Sequence, residues 1–266
     1  MKLRGKIAIV TGTSPNIGAG IAGGLADEGA RVVCVDVVRE NAQQCAEWIT
    51  EHGGEALGVT CDVTDEGQVE RMVARSREAY GGVDVLVNNA GILGGLSVLD
   101  MPLERWNRQI GVNLTGTFLC TKHVARLMVE QQRRGSIIVI ASTAAHQGQA
   151  GNIGYCTSKS GLLNFTRAAA MDLARHGIRV NSLTPTATDA GEGHDRAESW
   201  GRPRPERRSG LLDFSKMVPM GRLPSPRHYA RAVAFLASED AEMITGFDLR
   251  VDAGAIAKYW PWIPRA

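Results

Sequence analysis

Nowhere in the 266 residues is there an apolar run long enough to span a bilayer. The earliest such run, Ile7 to Val10, is too short for a signal-peptide core, so a cytoplasmic protein with no membrane partner is expected. An excess of charge of one sign is also missing. The formal net charge is +2, which gives no broad attraction to phosphate polymers, and no nucleic-acid partner is expected. Cysteine is sparse and unpatterned: Cys34, Cys45, Cys61, Cys120 and Cys156 form no CxxC pair and have no metal-ligand spacing with the histidines. They read as thiols of a reducing compartment, and no metal site is expected. Lysine is scarce beside arginine, so each lysine is a candidate for a role that a permanently charged guanidinium could not fill.

What is present describes an ordinary globular chain. An apolar fraction of 44% and a charged fraction of 22% support a sizeable core, with no low-complexity tract and no internal repeat. Short β-branched runs, Lys6 to Val10, Arg31 to Asp36, Glu55 to Thr60, Val83 to Asn88, Ser136 to Ile140, Arg179 to Leu183 and Phe247 to Val251, alternate with longer helical stretches. They are nearly continuous in hydrophobicity, as strands are when helices cover both faces of a parallel sheet. The expected fold is α/β, a single-domain Rossmann-type doubly wound parallel sheet of about seven strands spanning residues 1–266. Gly29, Gly53, Gly81, Gly82 and Gly177 mark helix ends. From about Ala187 to Met217 the rhythm breaks, and this stretch is expected to be a substrate lid. Arg202, Arg204, Arg207 and Arg208 lie within it beside Glu198 and Glu206, and are expected to form a solvated face. An aromatic tail, 255–266, contains Tyr259, Trp260 and Trp262. Apolar tails commonly dock on a neighbouring subunit, and a homotetramer is expected.

Two groups of residues carry chemistry. Directly after the first strand, Thr11-Gly12-Thr13-Ser14-Pro15-Asn16-Ile17-Gly18-Ala19-Gly20 opens a helix, where glycines let backbone approach a pyrophosphate at the positive helix end. Asp36 ends the second strand, where a carboxylate can hold the adenosine ribose hydroxyls and repel a 2′-phosphate. NAD is therefore expected over NADP, although Arg39 stands nearby and Asp36 could instead cap the next helix. Asp62 with Val63, and Asn88-Asn89-Ala90-Gly91, follow the third and fourth strands at the same sheet edge. Tyr155 and Lys159, four apart on a helix, share one face, so the ammonium is expected to lower the phenol from its usual value near 10 and let it take an alcohol proton. Ser142 follows the fifth strand, placed to hydrogen-bond a substrate oxygen. Asn113 sits in a long predicted helix, a costly position unless it serves a kink or a water chain.

Together, the Thr11 to Gly18 turn, Asn88-Asn89-Ala90-Gly91, Asn113, Ser142 and Tyr155-x-x-x-Lys159 resemble the compact, single-domain type of the short-chain dehydrogenase/reductase family over essentially the whole chain. The resemblance implies Tyr155 as acid/base, Lys159 as its partner and nicotinamide-ribose ligand, Ser142 as substrate-oxygen ligand and Asn113 as water-relay anchor. It implies that NAD is held by Gly12, Ser14, Asn16, Ile17, Gly18, Asp36, Asp62, Val63, Asn89, Ala90, Gly91, Tyr155, Lys159, Pro185 and Thr188. It also implies a small-molecule alcohol or ketone bounded by Leu93, Ser142, His146, Gln149, Asn152, Tyr155 and Trp200. Two positions depart from the pattern: Asn16 stands where the turn usually has its second glycine, compatible through a tolerance of positive φ, and Thr186 follows Pro185 where glycine is usual. Thr188 substitutes for the usual nicotinamide-contacting threonine, whose spacing falls on Ala190. The competing readings are an NADP-preferring carbonyl reductase, a non-catalytic NAD-binding redox sensor, an epimerase, for which too little chain follows Phe247, and an enoyl reductase, whose lysine would stand farther from the tyrosine.

Overall fold

The computed structural model describes residues 1–204 and 213–258. Seven strands, β1 Ile7–Thr11, β2 Arg31–Asp36, β3 Glu55–Thr60, β4 Val85–Asn88, β5 Ser136–Ile140, β6 Arg179–Pro185 and β7 Asp248–Val251, form one sheet in the order β3-β2-β1-β4-β5-β6-β7. Every pairing in it is parallel. Eight α-helices alternate with them: α1 Ile17–Asp27, α2 Arg39–Glu51, α3 Glu66–Tyr80, α4 Leu103–Ile110, α5 Gly116–Glu130, α6 Ile153–Ala174, α7 Gly191–Ser199 and α8 Pro226–Ala237.

The apolar strand runs are continuous because alternate side chains feed two separate cores. Ala8 and Val10 of β1, Val32 and Cys34 of β2, and Ile138 and Ile140 of β5 pack with α1, α2 and α8 through Ile21, Leu25, Ile49, Tyr229 and Val233. Ile9, Val33, Val35 and Ile137 point the other way, onto Met72, Leu119, Val124 and Met128 of α3 and α5. The expected doubly wound architecture is therefore observed. The glycines expected to stop helices do so in left-handed backbone, with φ of 89° at Gly29, 84° at Gly53, 89° at Gly81 and 69° at Gly177.

Strand order reverses between β1 and its two neighbours, β2 and β4, which opens a crevice at the carboxyl ends of the strands. The stretch expected to be an irregular lid contains a regular element, α7. Two glycines in nine residues hide its periodicity, but Glu192 in its first turn and Arg196 in its last suit the helix dipole. Residues 205–212, which include Glu206, Arg207 and Arg208, lie outside the described residues, as does the aromatic stretch 259–266. Among the described residues, no helix is long and apolar enough to cross a membrane.

Candidate active site

The crevice is a cleft of about 700 Å³ that runs from Asp36, Asp62 and Val63 at one end, past Gly12, Ser14, Asn16, Ile17 and Gly18, to Asn89, Ala90, Gly91, Tyr155, Lys159 and Pro185 at the other. Gly12 turns the chain at φ 72°, a conformation that only glycine adopts without strain. A Cβ on it would come within 2.8 Å of the Ala90 Cα, so the loop after β4 lies directly against the turn. Asn89 fastens the two: its Nδ2 donates to the carbonyls of Thr11 at 3.0 Å and Gly12 at 2.8 Å. Asn16 precedes α1 with φ −86° and makes no side-chain cap, so the first-turn amides of that helix lack a side-chain acceptor. The Ala19 and Gly20 amides donate to the Ser14 and Asn16 carbonyls, at 3.1 and 3.0 Å, and the Ile17 and Gly18 amides of this uncapped end, beside two close-packed glycines, fit a pyrophosphate. The positive φ expected of Asn16 is not observed; at −86° the position imposes no left-handed strain on a side chain.

At the β2 end of the cleft Asp36 is buried, and both of its side-chain hydrogen bonds fall on Oδ1, from the Val38 amide at 2.9 Å and the Asn41 Nδ2 at 3.1 Å. Oδ2 is left as an acceptor for ribose hydroxyls. Arg39, the first residue of α2, is exposed and does not line the cleft. The Asp62 Oδ1 accepts from the amide and hydroxyl of Thr64, which holds the carboxylate at the rim.

At the other end Tyr155 and Lys159 project from α6 on one face, with the Lys159 Nζ 5.8 Å from the centroid of the Tyr155 ring. Lys159 is buried, donates to the Ile140 carbonyl at 2.7 Å, and is pushed down to about 8 by burial. Tyr155 moves opposite to expectation: burial raises it above 10 and outweighs a hydrogen bond with Ser142 that lowers it. In the protein alone, Lys159 turns toward the Ile140 carbonyl and desolvation decides the phenol's acidity. Ser142 is in extended backbone just past β5, and its Oγ accepts from the Ala144 amide at 3.1 Å.

Asn113 has a structural account. α4 and α5 are joined by a π-helical turn, Gly111–Thr115, and the fully buried Asn113 sits at its centre. Its Oδ1 accepts from the Ile92 amide at 2.8 Å, and its Nδ2 donates to the Ile92 carbonyl at 3.1 Å and the Ser158 hydroxyl at 3.0 Å. The residue thus ties the loop after β4 to α6, and the expected kink is the π-turn. A Cβ on Gly91 would lie 3.3 Å from the Asn113 Oδ1 and 3.6 Å from the Lys159 Nζ.

A family model described as enoyl-(acyl carrier protein) reductase matches residues 12–255. The L-rhamnose 1-dehydrogenase (NAD(P)(+)) of Azotobacter vinelandii is 40% identical, with 96% of this chain and 98% of that one covered. The chain belongs to the short-chain dehydrogenase/reductase family. A 3-oxoacyl-(acyl carrier protein) reductase of Escherichia coli is 37% identical, covering 96% and 98% of the two chains. The crystal structure of a short-chain type dehydrogenase/reductase from Mycobacterium marinum superposes with a TM-score of 0.84 at 35% identity, covering 97% of each chain.

As a member of this family the chain is an oxidoreductase, and its cleft gathers most, not all, of the residues expected to line it. Of the expected substrate residues, Leu93 is exposed at the cleft and Gln149 is exposed in the loop after β5. Asn152 precedes α6 and bridges to Leu96. His146 turns away: its Nε2 faces the Asp248 carboxylate at 3.1 Å and the Thr184 hydroxyl at 3.3 Å, inside a polar knot that also holds Ser182. Trp200 is buried in the core shared by α1 and α2, with Arg202 over its ring, and does not line the cleft. The Thr188 hydroxyl is occupied by Tyr229 at 3.1 Å and the Thr186 carbonyl at 3.3 Å, also outside the cleft. Arg204 pairs with Asp195 and Glu198 on an exposed surface, as expected of a solvated face, whereas Arg202 departs from that expectation: it is half-buried over Trp200 and bonded to the Gln44 Oε1.

Among the cleft residues that sequence reading missed, Asn41, Thr64, Ile92, Gly111 and Val112 bear most on the site. Asn41 carried a signal: in the first turn of the helix that follows Asp36, its amide is in reach of that carboxylate.

Proposed function

We propose that this chain is an NAD-dependent oxidoreductase that interconverts a secondary alcohol and a ketone, with Tyr155 as general acid/base. The observation that carries the proposal is a single cleft lined at one end by a carboxylate, Asp36, suited to ribose hydroxyls, and at the other by Tyr155 and Lys159 on one helix face, with Ser142 near enough to pull the phenol's pKa down. A nicotinamide dinucleotide held along Gly12, Asp36, Asn89 and Lys159 would supply hydride transfer with the substrate carbon and, when oxidised, a positive charge at the Tyr155 end of the cleft. Ser142 and the Tyr155 hydroxyl hold the substrate oxygen between them. In alcohol oxidation Tyr155 takes the hydroxyl proton; in ketone reduction it returns one. Because burial raises the phenol, Tyr155 depends on added positive charge to ionise near neutral pH, and Lys159 supplies the part the protein controls.

The preference for NAD is supported by the free Oδ2 of Asp36 and by Arg39 standing off the cleft. Carbonyl rather than double-bond chemistry is supported by Lys159 four residues from Tyr155. Five free cysteines are consistent with a reducing, cytoplasmic setting. A homotetramer is supported by large apolar side chains exposed on α5 and α6, Phe118, Val129 and Met171. Deleting residues 259–266 should lower the oligomeric mass, and an unchanged mass and activity would count against a role for the tail. The deciding experiment screens secondary alcohols, ketones and an enoyl thioester by cofactor absorbance, with NAD and NADP in parallel. Turnover of an alcohol or ketone with NAD is expected. Turnover of the enoyl compound alone, or of nothing despite dinucleotide binding, would replace this reading with an enoyl reductase or a redox sensor.

A further inference from the structure

The helix in the expected lid is fastened to the cofactor side of the molecule. The α7 residue Arg196 reaches across to the glycine-rich turn, where its Nη1 donates to the Pro15 carbonyl at 2.5 Å and the Asn16 carbonyl at 3.5 Å. Its guanidinium carbon stands 4.7 Å from the centroid of the Trp48 ring on α2, within cation–π range. Burial lowers the Arg196 pKa, and its Nε is buried without a partner among the described residues, so a desolvated cation is held here for two main-chain oxygens. One turn earlier, Gly193 lies against Asn16: a Cβ at Gly193 would be 3.0 Å from the Asn16 Oδ1 and 3.1 Å from its Cα. The next turn is pinned as well, with the Gln44 Nε2 donating to the Trp200 carbonyl at 3.1 Å and the Arg202 Nη2 donating to the Gln44 Oε1 at 2.7 Å.

We propose that Arg196 is a positioning residue for the dinucleotide: from behind, it fixes the Pro15 and Asn16 carbonyls of the glycine-rich turn, while Gly193 makes room for the Asn16 side chain. The proposal rests on the cofactor reading above. Peptide planes are rigid, so fixing the Pro15 carbonyl, together with the Asn16 carbonyl that also accepts from the Gly20 amide at 3.0 Å, sets the direction of the Asn16 and Ile17 amides that follow them. Asn16 occupies a position where its family usually has glycine, and a side chain there needs space on its outer side. Gly193 supplies that space, so positions 16 and 193 form a matched pair. In this reading α7 buttresses the glycine-rich turn from behind.

The test measures NAD and NADH binding by the full-length protein, using nicotinamide fluorescence and calorimetry, for the unsubstituted chain and for Arg196→Met, Arg196→Lys, Gly193→Ala, Asn16→Gly and the Gly193→Ala/Asn16→Gly double variant. Methionine keeps apolar packing on Trp48 but donates nothing. We expect Arg196→Met to weaken dinucleotide binding about tenfold, with KM for the cofactor rising and kcat nearly unchanged, and Arg196→Lys to recover most of the loss, as expected for two charge-assisted hydrogen bonds. Gly193→Ala should weaken binding several-fold beside Asn16 but by less than about twofold beside glycine, a non-additivity characteristic of residues in contact. Binding by Arg196→Met within twofold of the unsubstituted chain, or a Gly193→Ala penalty that Asn16→Gly leaves intact, would overturn the proposal. If the unsubstituted chain binds neither NAD nor NADH, the NAD reading itself fails and the proposal falls with it.

Discussion

Lys159→Met removes a buried charge while keeping much of the side chain's length. Burial takes the lysine from its ordinary 10.5 down to about 8. At 1.36 kcal/mol per pKa unit, holding the charged form inside the fold costs ~3 kcal/mol at pH 7. Between about pH 8 and 10.5 the unfolded chain binds more protons at this position than the folded one, so the unsubstituted protein gains stability as pH rises through that window. The methionine variant has no such proton to lose. It also lacks the hydrogen bond to Ile140, a loss of ~1–3 kcal/mol that applies at either pH and largely cancels when the two are compared. Urea unfolding of both proteins without cofactor, at pH 7 and pH 10 and at one protein concentration, should show the stability of the unsubstituted chain relative to the variant rising by ~2 kcal/mol. A relative stability that does not change with pH would refute the claim that desolvation dominates at Lys159.

Asp36→Ser should raise the ratio of kcat/KM with NADP to that with NAD by about a hundredfold, since it removes charge-assisted ribose contacts and the repulsion of a 2′-phosphate. Steady-state kinetics with both cofactors checks this, and an unchanged ratio would reassign Asp36 to capping. Asn41→Ala should raise KM for NAD about three- to tenfold with kcat intact, because only the orientation of Asp36 is loosened. Asn113→Leu leaves the Ile92 amide and carbonyl unpaired in a buried site, so ~2–4 kcal/mol of stability should be lost in urea unfolding, and activity should fall with it. His146→Leu should cost ~1–2 kcal/mol of stability through the Asp248 knot yet leave kcat/KM within about threefold. A larger kinetic loss would restore His146 to the substrate pocket.

The strands were readable because two covered faces demand apolar side chains in both directions, and β2, β3 and β5 fall within the expected limits. The glycine-rich turn and the shared helix face of Tyr155 and Lys159 were readable because their spacing is local to one turn or one helix face. What escaped depends on which partner a side chain finds far along the chain. His146 has a ring that could serve a substrate, and nothing near it in sequence announces Asp248, 102 residues away, as its partner. Thr188 follows from its spacing after Pro185 and Trp200 from its place in the expected lid, yet Tyr229 and the α1–α2 core claim them. The unexpected direction of the Tyr155 shift has the same origin: proximity of Lys159 was legible, but burial of the phenol and the pull of the Ile140 carbonyl were not.

The central claim, that the Tyr155 hydroxyl transfers the substrate proton, is tested most directly by Tyr155→Phe, which removes one oxygen and keeps the ring. Turnover of the best alcohol found in the screen should fall by at least about a thousandfold, while NADH affinity measured by fluorescence stays within about threefold. Near-normal turnover by that variant would contradict the account.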